Sequence, residues 1–286
     1  MKKVLFGLTL LLLLSCQDYG NIDKRANLSR SLSEISGLAS FENSPLFYAI
    51  ADHGNPNYVF AIDSTGFIAQ EIVVANATNE DWEDVATDGK NRLFIGDFGN
   101  NENDRKEQAI YTIENFLSYK KDVDTAFAQK TTFTLSDQEN YPPDLKDRNY
   151  DIEAFIFKDE NLFLFTRNRS RNFDGTTKVY KLPAKPGTYE AQLITSYKIC
   201  GDENNCFVTG ATLAPDGKTI LLLTFNKIFR LSGYTGDQFF KGKVEALPLN
   251  YSSQKEGICF KGNNIVYIVD ERRAQKGGNL YTYKIK

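Results

Sequence analysis

Five short segments of the chain begin alike: Ser36-Gly-Leu-Ala, Glu83-Asp-Val-Ala, Glu153-Ala-Phe-Ile, Thr209-Gly-Ala-Thr and Glu256-Gly-Ile-Cys. They stand 47, 70, 56 and 47 residues apart. Each leads through a short turn, such as Thr87-Asp-Gly-Lys-Asn or Ala214-Pro-Asp-Gly-Lys, into a strongly apolar run at residues 46–50, 93–95, 162–165, 220–223 and 265–269. A third run with its own aromatic follows each time, and almost nothing between has sustained helical periodicity. Four-stranded units of about 50 residues are propeller blades. The expected fold is therefore all-β: a single β-propeller of four-stranded blades. Five blades are visible, and a degenerate sixth stays open in residues 116–149. The last repeat ends after its third strand, so residues 21–32 are expected to supply the missing outer one. That pairing of the two ends removes an exposed edge. A β-sandwich would leave the recurring signature unexplained.

In such a ring the first strand of each blade lines the channel, and the end of the second lies beside its start. The strand starts carry Ser36, Glu83, Glu153, Thr209 and Glu256. Two residues earlier, on the same side of a strand, stand Glu34, Asp81, Asp151, Phe207 and Gln254. The second strands end in Asp52, Asp97, Arg167, Thr224 and Asp270. Several blades thus aim carboxyl groups at one mouth, where the loops are also long and polar, and function concentrates on such loops. Two readings stand side by side. Oxygen ligands from Glu83, Asp97, Glu153, Glu256 and Asp270 suit Ca²⁺, or less specifically Mg²⁺. Alternatively the acids pair with loop arginines, among them Arg105, Arg167, Arg169, Arg171, Arg272 and Arg273. The two can coexist, with Arg105, Arg167, Arg169 and Arg272 gripping an anionic ligand.

Residues 1–15 read as a leader: Lys2 and Lys3, an apolar run of eleven residues at 4–14, then Leu13-Leu14-Ser15-Cys16. The run is too short to span a bilayer. The segment resembles a bacterial lipobox, which implies cleavage before Cys16 and acylation of that cysteine. Gln17 follows rather than aspartate, so the expected address is the outer membrane or cell surface of a bacterial envelope. Residues 16–30 are assigned to anchor, linker and closing strand, and 31–286 to the propeller. Loss of the leader leaves 32 Lys and Arg against 37 Asp and Glu. No basic nucleic-acid footprint exists in that balance. Cys200 and Cys206 are expected to form a loop disulfide outside the cytoplasm, and Cys259 to be a small buried hydrophobe.

The phrases Glu34-Ile-Ser-Gly-Leu-Ala, Asn79-Glu-Asp-Trp-Glu-Asp-Val-Ala, Ile95-Gly-Asp-Phe-Gly-Asn-Asn and Glu256-Gly-Ile-Cys-Phe resemble a broad group of secreted bacterial propellers. The group includes SdiA-regulated-like lipoproteins and esterase-like phytase domains, and more distantly gluconolactonase-like and strictosidine-synthase-like propellers. In the lactonase relatives a metal sits on the channel axis, held by Glu, Asn and Asp from different blades. The resemblance implies comparable positions here for Glu83, Asp97, Glu153 and Asp270.

Trp82, the only tryptophan, alternates away from the channel and is expected to pack between blades. His53 is the only histidine, which excludes a multi-histidine metal site and leaves it a candidate general base with Glu83 and Asp97. No nucleophile elbow or phosphate-binding glycine loop is present. Two functions follow: a monomeric membrane-anchored propeller binding a small anionic ligand or protein partner, or a metal-dependent hydrolase of phosphoesters or lactones.

Overall fold

An apolar run such as Val85-Ala86 or Phe155-Ile156 is buried on both faces only if sheets flank it on both sides, and the chain packs that way. The structure is a computed structural model that describes residues 17–285 apart from 204 and 275; the expected leader at residues 1–15 and the expected acylation site Cys16 lie outside the described residues. Strand β1 (Asp23–Asn27) comes first. Blade 1 is β2 (Ile35–Ser40), β3 (Phe47–Ala51), β4 (Tyr58–Ile62) and β5 (Ile68–Val74). Blade 2 is β6 (Trp82–Thr87), β7 (Leu93–Asp97), β8 (Gln108–Ile113) and, after the short β9 (Val123–Ala126), β10 (Gln129–Leu135). Blade 3 is β11 (Asp151–Lys158), β12 (Asn161–Arg167), β13 (Thr176–Pro183) and β14 (Thr188–Lys198). Blade 4 is β15 (Gly210–Leu213), β16 (Ile220–Leu223), β17 (Lys227–Ser232) and β18 (Lys243–Pro248). Blade 5 is β19 (Lys255–Phe260), β20 (Ile265–Asp270) and β21 (Asn279–Lys284).

The fourth strand of blade 5 is β1, with Asp23 opposite Thr282 and Asn27 opposite Asn279. The expected closure is therefore made. The innermost strands touch in a closed ring, β2 to β6 to β11 to β15 to β19 and back to β2. Residues 116–149 form no further blade among the described residues. They lack a signature segment, so they have no inner strand, and their two strands join existing sheets. β9 runs parallel to β5, Ala126 opposite Val74. β10 closes blade 2 and also runs parallel to β14, Leu135 opposite Ala191.

The apolar core is divided among the blade interfaces. One cluster joins Tyr48, Ile50 and Val59 of blade 1 to Trp82, Val85 and Tyr111 of blade 2. Four more clusters fill the other interfaces around the ring. Trp82 is fully buried there, as the alternation of β6 requires, and its Nε1 donates to the Thr78 carbonyl at 3.0 Å. Truncating a ring so placed costs about 3–5 kcal/mol.

The signature itself is a β-bulge. In blades 1, 2, 3 and 5 the register between the first two strands slips at one residue: Ser36, Glu83, Glu153 and Glu256. A bulge re-aims the side chain of its extra residue, and here it turns glutamates into the mouth. The two hydroxyl-bearing signatures stitch blades instead. Ser36 Oγ donates to the Trp82 carbonyl at 2.6 Å, and Thr209 Oγ1 to that of Lys255 at 2.5 Å.

The next position is small in four blades, Gly37, Ala154, Gly210 and Gly257, because the strands converge there. A Cβ on Gly37 would fall 2.8 Å from the Val85 nitrogen. The exception is Asp84, 1 % exposed. Its carboxyl accepts from the backbone nitrogens of Val85 at 2.8 Å and Phe155 at 3.0 Å, and from that of Ala211. Burial pushes this carboxyl well above its usual range, against those three N–H groups.

Candidate functional site

Asp52 follows the end of β3, Asp81 precedes β6, and Glu83 is the bulge of β6. Carboxylate oxygens of these three lie within 4.8 Å of one another, and so do those of Glu83, Asp151 and Glu153. Glu83 is therefore shared between two groups of acids, one facing blade 1 and one facing blade 3.

The two groups are neutralised differently. On the blade 3 side, Arg169 Nε donates to Asp151 Oδ2 at 2.6 Å and its Nη2 to Glu153 Oε1 at 2.7 Å. Arg167 Nη1 reaches both Glu153 oxygens at 3.2 Å. The other Asp151 oxygen accepts from the Asn100 nitrogen at 2.7 Å. On the blade 1 side, Asp52, Asp81 and Glu83 have no ion-pair partner among the described residues. Arginine pairing thus holds for the blade 3 half, and the blade 1 half has no ion pair among the described residues.

The electrostatics follow this division. Burial, then the Asp52 charge and a hydrogen bond with Asp52, push Asp81 up to about 8. Glu83 is raised well above the carboxylate range by burial and by Glu153, Asp52, Asp81 and Asp151. Asp151 rises to about 7 through burial and Glu153, with Arg169 opposing. Burial would raise Glu153 too, but Arg167 and Arg169 hold it below its usual value. Like charges confined together either take up protons or recruit a cation.

Gly99 backs the unpaired acids. A Cβ there would lie 2.3 Å from the Asp81 carboxyl carbon and 2.4 Å from Glu83 Oε1. The Gly99 nitrogen donates to the Asp81 carbonyl at 3.1 Å, which holds the loop against them.

Other expected site residues are placed elsewhere. Asp97 takes the Asp81 nitrogen at 3.1 Å and pairs with Arg105 at 3.0 Å, so it supports Asp81 rather than joining the carboxylate groups. Arg105 also pairs with Glu80 at 2.8 Å. Asp270 is turned inside blade 5, where it accepts from the Asn279 nitrogen and the Tyr281 hydroxyl, both at 2.8 Å. It was expected at the mouth because it ends β20, but Tyr281 and Asn279 of β21 capture both its oxygens. Arg272 Nη2 donates to the Leu28 carbonyl at 2.8 Å, tying blade 5 to the segment that leads into blade 1, away from Arg167 and Arg169. Glu256 is buried near Arg167; burial pushes it well up, and it belongs to neither group of three. His53 is exposed on the rim, with Nδ1 2.5 Å from the Glu80 carbonyl. That carbonyl, with the Asp81 charge, holds the ring above its usual value.

Asp81 and Asp151 belong to the mouth by strand period and Asp52 by its place at the end of a second strand, yet the ligand set expected from sequence names Asp97 and Asp270 instead. Beside the mouth, Lys255 is fully buried and donates to the carbonyls of Phe225 and Tyr251 at 2.8 Å and to Ser253 Oγ at 2.9 Å. Burial lowers it to about 7. Cys200 and Cys206 form the expected disulfide, and burial raises the Cys259 thiol to about 12.

No protein-family model matches the chain, and no curated protein matches it. Among solved structures, the PQQ-bound aldose sugar dehydrogenase of Streptomyces coelicolor aligns with a TM-score of 0.52 at 9% identity, over 93% of this chain and 98% of that one. Hydrazine synthase of Kuenenia stuttgartiensis aligns at 0.41 and 12% identity, over 83% of this chain and 64% of that one. The first likeness supports the β-propeller fold and nothing finer, and the second carries no argument.

Proposed function

We propose that this propeller binds a divalent cation, Ca²⁺ or Mg²⁺, at Asp52, Asp81 and Glu83. With the arginine-bearing half of the mouth beside it, the cation holds a ligand or partner. One observation carries the reading: three carboxyl groups from two blades meet within 4.8 Å, and none of them forms an ion pair among the described residues. All the donors are oxygen, which suits hard cations. The protein would act at a bacterial envelope surface, anchored through acylated Cys16. The leader residues Lys2, Lys3 and Leu13 to Cys16 support that address.

Hydrolysis is the second reading. A cation held by these carboxylates would polarise a scissile oxygen and acidify a bound water. An open coordination position on the cation would favour hydrolysis of a phosphoester or lactone over simple binding.

Thermal unfolding of the soluble domain beginning at residue 17, in EDTA and then in excess Ca²⁺ or Mg²⁺, tests the site. A ligand at a hundred times its Kd adds about 2.7 kcal/mol. The expected result is an ion-selective rise in Tm that Glu83→Gln abolishes. No rise, with metal analysis also empty, would overturn the reading.

A further inference from the structure

We propose that the half of the mouth built by blades 3 and 4 is a subsite for a carboxylate carried on an apolar body. It lies beside the cation site, and only the coupling between the two rests on that earlier reading.

The subsite centres on Arg167. Among the described residues all its hydrogen bonds run from Nη1, to Glu153. Its Nε is buried and has no partner. The Nε–Nη2 edge is therefore unengaged, and it is one of the planar forks with which a guanidinium grips a carboxylate through two parallel bonds. A buried donor left without an acceptor is costly, and a ligand carboxylate is the group that would satisfy it. Arg169 adds charge from the same side, with Nη1 unengaged while Nε and Nη2 hold Asp151 and Glu153.

Rings wall this arginine. The Phe207 centroid lies 4.5 Å and the Phe225 centroid 5.6 Å from its guanidinium carbon. Phe173 meets Phe207 edge-on at 5.1 Å. All three phenylalanines are only partly buried, which leaves apolar surface beside the fork. Phe207 is fixed by its neighbour in sequence, since Cys206 is bonded to Cys200. The disulfide loop is in turn held by Ile199, whose nitrogen donates to the Gly175 carbonyl at 2.9 Å. The carboxylates of Glu153 and Glu256 stand near Arg167 and limit the negative charge the subsite tolerates. A planar monoanion with an apolar body fits these constraints better than a dianion or a free sugar.

Isothermal titration of the domain with benzoate and with acetate, each in EDTA and in saturating Ca²⁺, tests this. Benzoate is expected to bind at least tenfold more tightly than acetate, and Phe207→Leu to narrow that preference. Arg167→Lys, which keeps the charge but loses the fork, is expected to weaken benzoate at least tenfold. Benzoate and acetate binding alike, or neither binding in either condition, would overturn the subsite. That comparison uses the unaltered protein, so a variant that misfolds cannot blur it. Benzoate binding in EDTA that Ca²⁺ leaves unchanged would sustain the subsite while removing the coupling. Titration with Ca²⁺ alone reads the cation site separately, and Ca²⁺ binding without benzoate binding would overturn the subsite and leave the cation reading standing.

Discussion

Gly99 stands so close to Asp81 that a methyl group on it would fall inside the carboxyl group, 2.3 Å from the carbon. The glycine is needed for space, since its backbone is not in the left-handed region. Gly99→Ala must push Asp81 and Glu83 apart or displace the loop after β7. The expected outcome is a Ca²⁺ affinity at least tenfold weaker, read by titration, which corresponds to about 1.4 kcal/mol. Gly201→Ala, where nothing lies within 4 Å, should leave the affinity unchanged. Equal affinities in the two variants would mean that Asp81 and Glu83 do not bind the ion.

The cation-free domain should lose stability as pH rises from about 5 to 7. Asp81 is raised to about 8 and Asp151 to about 7, so the folded chain holds protons in this window that the unfolded chain has released. Stability present at low pH is thus lost as these groups ionise. Glu153, held low by its two arginines, titrates beneath the window. Lys255 acts only above about 7, where its folded amine is neutral, and there it contributes the opposite slope. Melting curves in EDTA across the window, for the parent and Asp81→Asn, provide the check. A Tm that rises with pH in the parent would contradict the assignment, whereas a flatter fall in Asp81→Asn would support it.

Asp84 offers a purely structural test. Its carboxyl receives N–H groups from blades 2, 3 and 4, so Asp84→Ala strands three buried donors on the axis. Each unsatisfied group costs about 1–3 kcal/mol, and the sum is a large fraction of the stability of an ordinary domain. Asp84→Asn keeps one acceptor oxygen and should fall between. Denaturant unfolding that ranks the alanine variant equal to the parent would show that water replaces the carboxyl.

The blades were legible because the signature is physical. Glu83, Glu153 and Glu256 sit at bulges, and the glycines and alanine beside them sit where the strands crowd. Repeat spacing also pointed to the closing strand, because blade 5 visibly ran out of chain. Strand period brought Asp81 and Asp151 to the mouth, and the end of a second strand brought Asp52, but neither could say which carboxyls stay there. Asp270 occupies the same place in its repeat as Asp97, and the Asn279 nitrogen and Tyr281 hydroxyl, nine and eleven residues away, draw it inward. Residues 116–149 misled for a related reason. Their strands have ordinary β patterning, and nothing local reveals that β9 and β10 pair with β5 and β14 across blade boundaries. The role of Gly99 was equally hidden, since its constraint comes from a side chain eighteen residues earlier.

The seam between β1 and β21 also sets an order of events in time. Asp23 is among the first of the described residues to leave a ribosome, and Thr282, opposite it, is among the last. Blades 1 to 4 can gather around their own hairpins as they emerge, yet β1 has no partner until β21 of blade 5 has been made. Until then the ring is an open arc with a waiting strand at one end. A chain cut short within the last blade would keep most of its hairpins and still never shut.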